Sequence, residues 1–366
     1  MQSELTLTPV TSITYDGRRG ALTALFYRNL ALSIVTLGVY RFWAITNTRA
    51  FLWQHWKLVG EPFDYSGTGK ELFIGFLKVA VALLMLSTAA QIGQVAGVGD
   101  VAQSVIALGY TVFVFLLYVV GSYLGLRYRM ARTRWRGVAF VQAGTLKGYL
   151  GLMLLGWFLC VVTLGLYLPW FQIKRARYVF NHLSFGSIPF RQNATAKGLF
   201  KYYLAIGVVF PIAAAAAGAA AFFVWFLSSF SPMSAVPPRR ESGDLAAGVA
   251  IGAILLLVGF IYAASLYRWK LVQTIVAGLS CGPLRFAFGA TLSQWIRLSL
   301  GNFALTWFTL GLLHPFSIHR TQIFWARHLK ILGAVDPAQI EQAAQRPLGS
   351  EGLTGFLGDM DAGFTG

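Results

Sequence analysis

Apolar residues gather in seven stretches that short polar, basic or aromatic connections separate. The stretches lie at 22–44, 72–95, 104–126, 148–173, 202–228, 245–267 and 298–316. Four of them, 72–95, 104–126, 202–228 and 245–267, have about the 20 residues that a membrane-spanning helix needs. Charges, glycine or proline interrupt the other three. The pattern therefore predicts four crossings and three elements that enter the membrane and turn back. Seven full crossings are the alternative, but they would put strongly basic connections on both sides of the membrane.

The three interrupted stretches share one motif. Its copies are Thr36-Leu37-Gly38-Val39-Tyr40-Arg41-Phe42-Trp43, Thr163-Leu164-Gly165-Leu166-Tyr167-Leu168-Pro169-Trp170 and Thr309-Leu310-Gly311-Leu312-Leu313-His314-Pro315-Phe316. A histidine follows each motif threonine by nineteen residues: His55, His182 and His328. Glycine and proline weaken or remove backbone hydrogen bonds, so each copy predicts a broken helix. A break at membrane depth must be buried in protein or line a wet cavity.

The fold class that this pattern predicts is an all-α integral membrane protein with an internal three-fold sequence repeat. Short re-entrant or half-length helices would alternate with small β-hairpins, for which 61–69, 134–141 and 283–288 are candidates because they contain turn residues. We divide the chain into a polar segment 1–20, a membrane domain 21–333 and a flexible acidic tail 334–366. The repeat units would cover about 21–95, 104–228 and 245–333.

The composition supports a membrane location. Hydrophobic residues make up 56% of the chain and charged residues 12%, whereas soluble domains have about 25% charged residues. The net charge is +17, and the regions 127–147 and 174–201 contain no acid. Nucleic acid is one partner for such regions, but these border apolar stretches, which favours a cytoplasmic face that contacts anionic lipid. Both termini are then cytoplasmic. The expected rim is Arg49, Arg132, Arg134, Arg136, Lys174, Arg175, Arg177 and Arg327.

The candidate site consists of residues that recur between the copies. They are Thr36, Gly38, Tyr40, Trp43, His55, Lys70, Thr163, Gly165, Tyr167, Trp170, His182, Lys197, Thr309, Gly311 and His328. Three histidines can hold zinc, but no carboxylate or cysteine accompanies all three, so we favour local structural or headgroup-binding roles. We expect no metal and no cofactor. Neither a phosphate-loop pattern nor an enzyme motif is present, and we expect a protein that is not an enzyme.

The motif at 36–43, His55 and the string Phe63-Asp-Tyr-Ser-Gly-Thr-Gly-Lys-Glu-Leu-Phe-Ile-Gly-Phe76 closely resemble the YjgN-like family, which consists of bacterial inner-membrane proteins of unknown function. The resemblance covers about 13–333. It implies a multi-pass location in the inner membrane and supplies no substrate, activity or cofactor. The third copy departs from the pattern at Leu313 and Phe316 and has no Thr-x-Lys after His328. This departure argues against a role that needs three equivalent units.

Two function classes remain open from the sequence. One is transport or translocation of a small or amphiphilic anionic solute or lipid. The scarcity of acids in the crossing segments opposes a proton-driven pump. The alternative is a membrane scaffold, or a protein that binds lipid or a partner without transport. A wet cavity that reaches the motif breaks and has a basic rim would favour transport, and a packed interior would favour the scaffold.

Overall fold

A computed structural model describes residues 10–95, 99–229 and 241–333. Its strands are β1 Val10–Thr11, β2 Ile13–Tyr15, β3 Trp56–Leu58, β4 Glu61–Tyr65, β5 Thr133–Trp135, β6 Val138–Gln142, β7 Leu183–Phe185, β8 Ile188–Gln192, β9 Leu279–Cys281, β10 Leu284–Phe288 and β11 Leu329–Leu332. Its helices are α1 Arg19–Val35, α2 Arg41–His55, α3 Gly69–Val95, α4 Asp100–Arg132, α5 Leu146–Val162, α6 Leu168–Asn181, α7 Phe200–Ser229, α8 Glu241–Ala277, α9 Leu292–Phe308 and α10 His314–His328.

All strands of the described residues join one antiparallel sheet that nearly closes into a ring. Its order is β1-β11-β10-β9-β8-β7-β6-β5-β4-β3-β2. Successive pairs of helices, from α1/α2 to α9/α10, are inserted between strands that are hydrogen-bonded neighbours. Each pair must therefore leave the sheet and return to it. The result is five helical hairpins on one ring of strands.

The two ends of the described chain close the ring. β1 pairs with β11, with Val10 opposite Leu332, while β2, beyond Ser12, pairs with β3. Lys57 of β3 forms an ion pair of 2.7 Å with Asp16, just after β2. The hydrogen bond from this lysine holds the pKa of the Asp16 carboxyl below its usual range. Both ends of the chain as described thus lie in the same sheet.

The sheet is made of β-hairpins with tight two-residue turns. Val59-Gly60 and Arg136-Gly137 have positive φ at both turn residues, as type I′ turns require. Gly186 and Gly282 each begin a turn with a φ of 54°, as type II′ turns do. These turns match the twist of the strands that they join.

Apolar side chains fill the inside of the ring. Phe63, Phe140, Phe190 and Phe286 occupy the same third position in β4, β6, β8 and β10. The rings of Phe190 and Phe286 lie 6.3 Å apart, and those of Phe140 and Phe185 lie 4.8 Å apart. Trp135, Leu183, Phe185, Phe190 and Cys281 are the buried centre of this cluster. Among the described residues, this apolar cluster occupies the middle of the sheet.

The prediction of an all-α fold is wrong, because the hairpins merge into one continuous sheet. The strands have only two to five residues each. Their alternation of apolar and polar residues is therefore a weak pattern in the sequence beside that of a long apolar helix. The pairings between hairpins are also distant in sequence, for example β1 with β11. Hairpins at 61–69, 134–141 and 283–288 were expected, but as isolated elements.

Two helices of the described chain are long and apolar enough to cross a membrane, Gly69–Ile92 and Asp100–Arg132. They overlap the stretches 72–95 and 104–126, and the crossing of the membrane stays a prediction. The other two predicted crossings fall in α7 and α8, and many of their side chains lie outside the description, as do residues 1–9 and the predicted tail 334–366.

Candidate functional site

The three short hairpins, α1/α2, α5/α6 and α9/α10, all turn at the Leu-Gly of the repeated motif. The leucines have φ of 49° to 51° and the glycines of 83° to 89°. Gly38 donates its N–H to the carbonyl of Ser33 at 2.7 Å, which is the closing bond of a Schellman motif. The equivalent bonds are Gly165 to Cys160 at 2.6 Å and Gly311 to Thr306 at 2.8 Å.

One threonine hydroxyl holds each break. Thr36 Oγ1 donates to the Leu32 carbonyl at 2.7 Å and accepts from the Tyr40 N–H at 2.9 Å. The same pair of bonds joins Thr163 to Leu159 and Tyr167, and Thr309 to Leu305 and Leu313. The hydroxyl therefore bridges a carbonyl at the end of the first helix and an N–H at the start of the second. This is a structural role that fixes the direction of the second helix.

The tip of each short hairpin is an exposed leucine. Leu37, Leu164 and Leu310 are 94%, 94% and 95% exposed. A side chain with a Cβ in the left-handed region costs about 1–2 kcal/mol, and asparagine or glycine tolerates that region better. Each of the three tips thus combines an unfavourable backbone conformation with an apolar side chain that nothing in the described chain covers. Such a tip is suited to a lipid environment.

Two of the three tips have an aromatic pair beside the break. Tyr40 stacks on Trp43 at 6.2 Å and Tyr167 on Trp170 at 6.4 Å. Lys174 Nζ donates to the Tyr167 hydroxyl at 2.8 Å, and Asn47 makes the corresponding bond to Tyr40 at 3.3 Å. The third hairpin has leucine and phenylalanine at these positions and makes no such pair.

The three repeated histidines mark where each short hairpin rejoins the sheet. Each ring Nδ1 bonds the carbonyl four residues earlier, those of Phe51, Tyr178 and Phe324, at 2.7 to 2.8 Å. Each histidine carbonyl in turn accepts an N–H from the chain just after a neighbouring strand: His55 from Asp16, His182 from Ala143 and His328 from Gly289. Among the described residues, no three histidine, cysteine or acidic side chains gather as a metal site. The geometry of these histidines is local.

The long hairpins use the same backbone bond with different residues. Ser66 donates to the Arg132 carbonyl at 3.0 Å, and Asn193 donates to the Gly278 carbonyl at 2.9 Å. Arg132 and Gly278 thus stand where the short hairpins have histidine. All five hairpins are joined to the ring by one type of contact.

The helices of the second short hairpin cross at a glycine. A Cβ on Gly156 would lie 2.1 Å from the ring of Phe171. At the equivalent crossing of the first hairpin, Asn29 Nδ2 bonds the carbonyl of Ala44 at 3.4 Å. The third hairpin has Asn302 and Ser317 at the corresponding positions. A small residue on one helix accompanies a larger one on the other, a relation that the sequence interpretation missed.

An ion pair joins the two helices of the long hairpin α3/α4 at their ends next to the sheet. Arg132 Nη2 lies 2.6 Å from Glu71 Oε1, and the buried Tyr128 donates its hydroxyl to Oε2 of the same carboxylate at 2.5 Å. Glu71 also forms a capping box with Thr68 at the start of α3. Glu71 and Tyr128 were not among the expected site residues. Tyr128 lies four residues before Arg132, so both reach one face of α4, and that spacing was a usable signal.

The two lysines of the Thr-x-Lys strings lie in different local structures. Lys70 is exposed in the first turn of α3, whereas exposed Lys197 lies in a turn before α7, which begins only at Phe200. The match in sequence therefore did not predict the same helix start.

The side chains of the expected basic rim differ in what they contact, and Lys174 and Arg177 are exposed although they make hydrogen bonds. Arg134, Arg136 and Arg327 are exposed, with Arg136 also 3.4 Å from Glu61. The engaged contacts are Arg49 with the Tyr65 hydroxyl, Arg132 with Glu71, Lys174 with the Tyr167 hydroxyl, Arg175 with the Tyr149 hydroxyl and Arg177 with the Ala194 carbonyl. Many of these cations therefore orient neighbouring elements of the fold.

Comparison with known proteins identifies the family. Residues 10–355 match the family model described as "Bacterial protein of unknown function (DUF898)". The chain belongs to this family. Among curated relatives, it is 27% identical over 131 residues to "Inner membrane protein YjgN" of Salmonella typhimurium (strain LT2), covering 35% of this chain and 30% of that protein.

The proteins of the same name from Escherichia coli O157:H7 and strain K12 are 28% and 27% identical over 123 and 124 residues. In each case the match covers 33% of this chain and 28% of the relative. The match to these curated relatives thus spans less than a third of their length. No solved structure matches the chain.

Proposed function

We propose that the chain is a multi-pass inner-membrane protein that binds anionic lipid and acts as a membrane scaffold, without enzymatic activity. Its relatives are named inner membrane proteins. The helices at Gly69–Ile92 and Asp100–Arg132 have the length and composition of membrane spans. Both facts support the location.

The ring of strands is the cytoplasmic end of the molecule in this proposal. Exposed Arg134 and Arg136 belong to the hairpin of β5 and β6, and exposed Arg191 and Arg285 lie in β8 and β10. Cations collect on the cytoplasmic side of membrane proteins and attract anionic headgroups. Because β1 and β11 pair in this ring, both ends of the described chain are on that side.

The exposed leucines at the three motif tips are the observation that carries the proposal. α5 has 17 residues and rises about 26 Å, less than the roughly 30 Å of a hydrocarbon core. α3, with 27 residues, rises about 40 Å by the same geometry. The short hairpins therefore dip into the membrane from the sheet side, and their leucines contact acyl chains, while α3 and α4 cross.

Transport of an amphiphilic anion is the second candidate. A pocket of about 490 Å³ lined by Phe303, Thr306, Trp307, Leu310 and Gly311 adjoins the third motif break and favours it. The aromatic cluster inside the ring opposes a path through the sheet. Equal release of a fluorescent anionic lipid analogue from vesicles with and without the reconstituted chain would remove this candidate.

The lipid-binding function is tested by replacing the tips with asparagine. The triple variant Leu37→Asn, Leu164→Asn and Leu310→Asn keeps a residue that tolerates positive φ and removes the apolar contact with lipid. Native mass spectrometry of the gently purified parent should show bound anionic phospholipid, and the variant should retain severalfold less. The matched control replaces Leu77, Leu84 and Leu108, which are exposed along α3 and α4, with alanine.

Retention of lipid by the control is expected, because an apolar surface remains on each helix. A parent without bound lipid, or equal retention by the parent and the asparagine variant, would contradict the proposal.

A further inference from the structure

An open pocket with several polar lining residues lies where the fourth helical hairpin rejoins the sheet. It has a volume of about 580 Å³, and its lining includes Asn193 and Thr195 from the loop after β8 and Lys270, Gln273 and Gly278 from α8 and its end. Lys270 is the charged residue of this lining, and no acidic residue belongs to it. The pocket is thus electropositive.

The other long hairpin has an ion pair at the equivalent place. An offset of 127 residues relates Thr68 to Thr195 and Glu71 to Gly198, and an offset of 146 residues relates Arg132 to Gly278. Corresponding backbone bonds, Ser66 to Arg132 and Asn193 to Gly278, support this alignment.

Glu71 places a carboxylate at this position in the α3/α4 hairpin, where it accepts from Tyr128 and Arg132. In the α7/α8 hairpin both members of the ion pair are glycines, and the first helix begins four residues after Ala196. The loop after β8 packs directly on Gly278, where a Cβ would lie 2.3 Å from Gln192 Oε1. The ion pair of the other long hairpin thus has no counterpart here, and an open volume lies beside Lys270 and Gln273.

The donors around the open pocket are suited to an anion. Lys270 Nζ donates to Gln273 Oε1 at 2.7 Å, which directs the amide nitrogen of Gln273 away from that bond. The Thr195 side chain is exposed at the pocket wall. The Lys270 ammonium also lies 5.8 Å from the Tyr202 ring and 5.6 Å from the Trp269 ring. At these distances both rings attract the ammonium by cation–π interaction.

We propose that this pocket binds a phosphate-bearing anion, with Lys270 as the main charge and Thr195 and Gln273 as hydrogen-bond donors. The volume exceeds that of one phosphate group, so a phospholipid headgroup fits as well as free phosphate. The proposal depends on the membrane function only for a lipid source of the phosphate.

The test measures binding of two probes to the purified full chain. Inorganic phosphate is titrated in detergent, and phosphatidylglycerol is compared with phosphatidylcholine in nanodiscs. Lys270→Gln removes the charge, and Lys330→Gln, at an exposed lysine of β11, is the matched control. We expect at least a tenfold loss of affinity in Lys270→Gln and none in Lys330→Gln. Thr195→Val, in an exposed loop, should lower the affinity severalfold. It provides the test if Lys270→Gln does not fold.

The outcomes separate the source of the anion and the two proposals. Phosphate binding that depends on Lys270 supports the pocket even if no lipid is retained, in which case the membrane function fails alone. Binding of phosphatidylglycerol that depends on Lys270 identifies a headgroup site. Phosphate binding that is equal in the parent, Lys270→Gln and Thr195→Val, or no binding of either probe by the parent, would overturn the pocket proposal.

Discussion

The short and long helical hairpins start from the same ring and differ at their far ends. Both kinds leave and re-enter between neighbouring strands, and the same type of backbone bond receives them, at His182 in a short hairpin and at Arg132 in a long one. The short hairpin then turns after 17 residues at a leucine tip. The long one continues through helices of 27 and 33 residues.

This comparison indicates that the ring is a shared base and that helix length decides how deep each hairpin reaches. The residues that fasten each hairpin differ accordingly. A threonine hydroxyl and a close helix crossing stabilise the short hairpins, while an ion pair between helix ends stabilises α3/α4. Substitutions in these two kinds of contact should therefore act on one hairpin type and leave the other intact.

The largest effect is expected at the helix crossing of the second short hairpin. Gly156→Ala forces a methyl group against Phe171, and overpacking of this kind costs about 1–3 kcal/mol. The melting temperature in detergent should fall clearly. Gly151→Ala is the matched control, since a Cβ at Gly151 meets nothing within 4 Å.

The crossing also offers a rescue. Gly156→Asn together with Phe171→Ala installs the pair that the first hairpin uses at Asn29 and Ala44. The double variant should recover part of the stability lost in Gly156→Asn alone. A melting temperature that Gly156→Ala leaves unchanged would show that the helices do not pack as described.

The next effect is expected in the long hairpin. Glu71→Gln removes the charge that Arg132 and Tyr128 share, at a site where the Arg132 and Glu71 side chains are only 22% and 27% exposed. A partly buried ion pair of this kind contributes about 1–2 kcal/mol to the free energy of unfolding. Glu61→Gln, whose partner Arg136 lies 3.4 Å away in an exposed pair, is the control and should change the melting temperature little. Equal effects of the two variants would argue against the fastening role of Glu71.

A smaller effect is expected at the motif break. Thr163→Val keeps the shape of the side chain but removes both the bond to Leu159 and the bond from Tyr167, at a cost of about 1 kcal/mol. Thr163→Ser keeps the hydroxyl and should recover most of that loss. Thermal unfolding of the two variants in the same detergent measures the difference, and equal melting temperatures would exclude the bridging hydroxyl as a stabilising contact.

The helix breaks could be read from the sequence, and the sheet could not. The Leu-Gly pairs carry positive φ at every copy of the motif, where glycine and repetition gave a local signal. The joining of the hairpins depends on pairings such as Phe140 with Phe185, which involve residues far apart in the chain. Local alternation over three to five residues contains no information about which hairpin is the neighbour.

The residues of the candidate site could be predicted in part, and their contacts could not. The motif threonines and histidines stood out because they recur. Their roles depend on bonds to backbone carbonyls such as those of Leu159 and Phe51, and the residue type at those positions does not predict such bonds. Glu71 was hidden because its partners come from α4. The pocket beside Lys270 lies between the loop 193–195 and the last turns of α8, and no local pattern in the sequence shows that these two segments meet.

The smallest effect is expected where the ring closes. The pKa of Asp16 is lowered by the hydrogen bond from Lys57, so its contribution to stability is present above the ordinary carboxyl pKa of about 4 and is lost as the pH falls below it. The pair is exposed, which limits the contribution to about 0.5 kcal/mol or less. The difference in melting temperature between the parent and Asp16→Asn should shrink on acidification to pH 3. A difference that grows with acidification would contradict this assignment.

The re-entrant path of the short hairpins is tested most directly by thiol labelling from outside the cell. In a chain with Cys160 and Cys281 replaced by serine, single cysteines are placed at Leu37, Leu164 and Leu310, and at Gly99 between α3 and α4. A membrane-impermeant maleimide added to intact cells should label the cysteine at position 99 and none of the three tips. Labelling of any tip as fast as position 99 would mean that a short hairpin reaches the outer surface and would contradict the account.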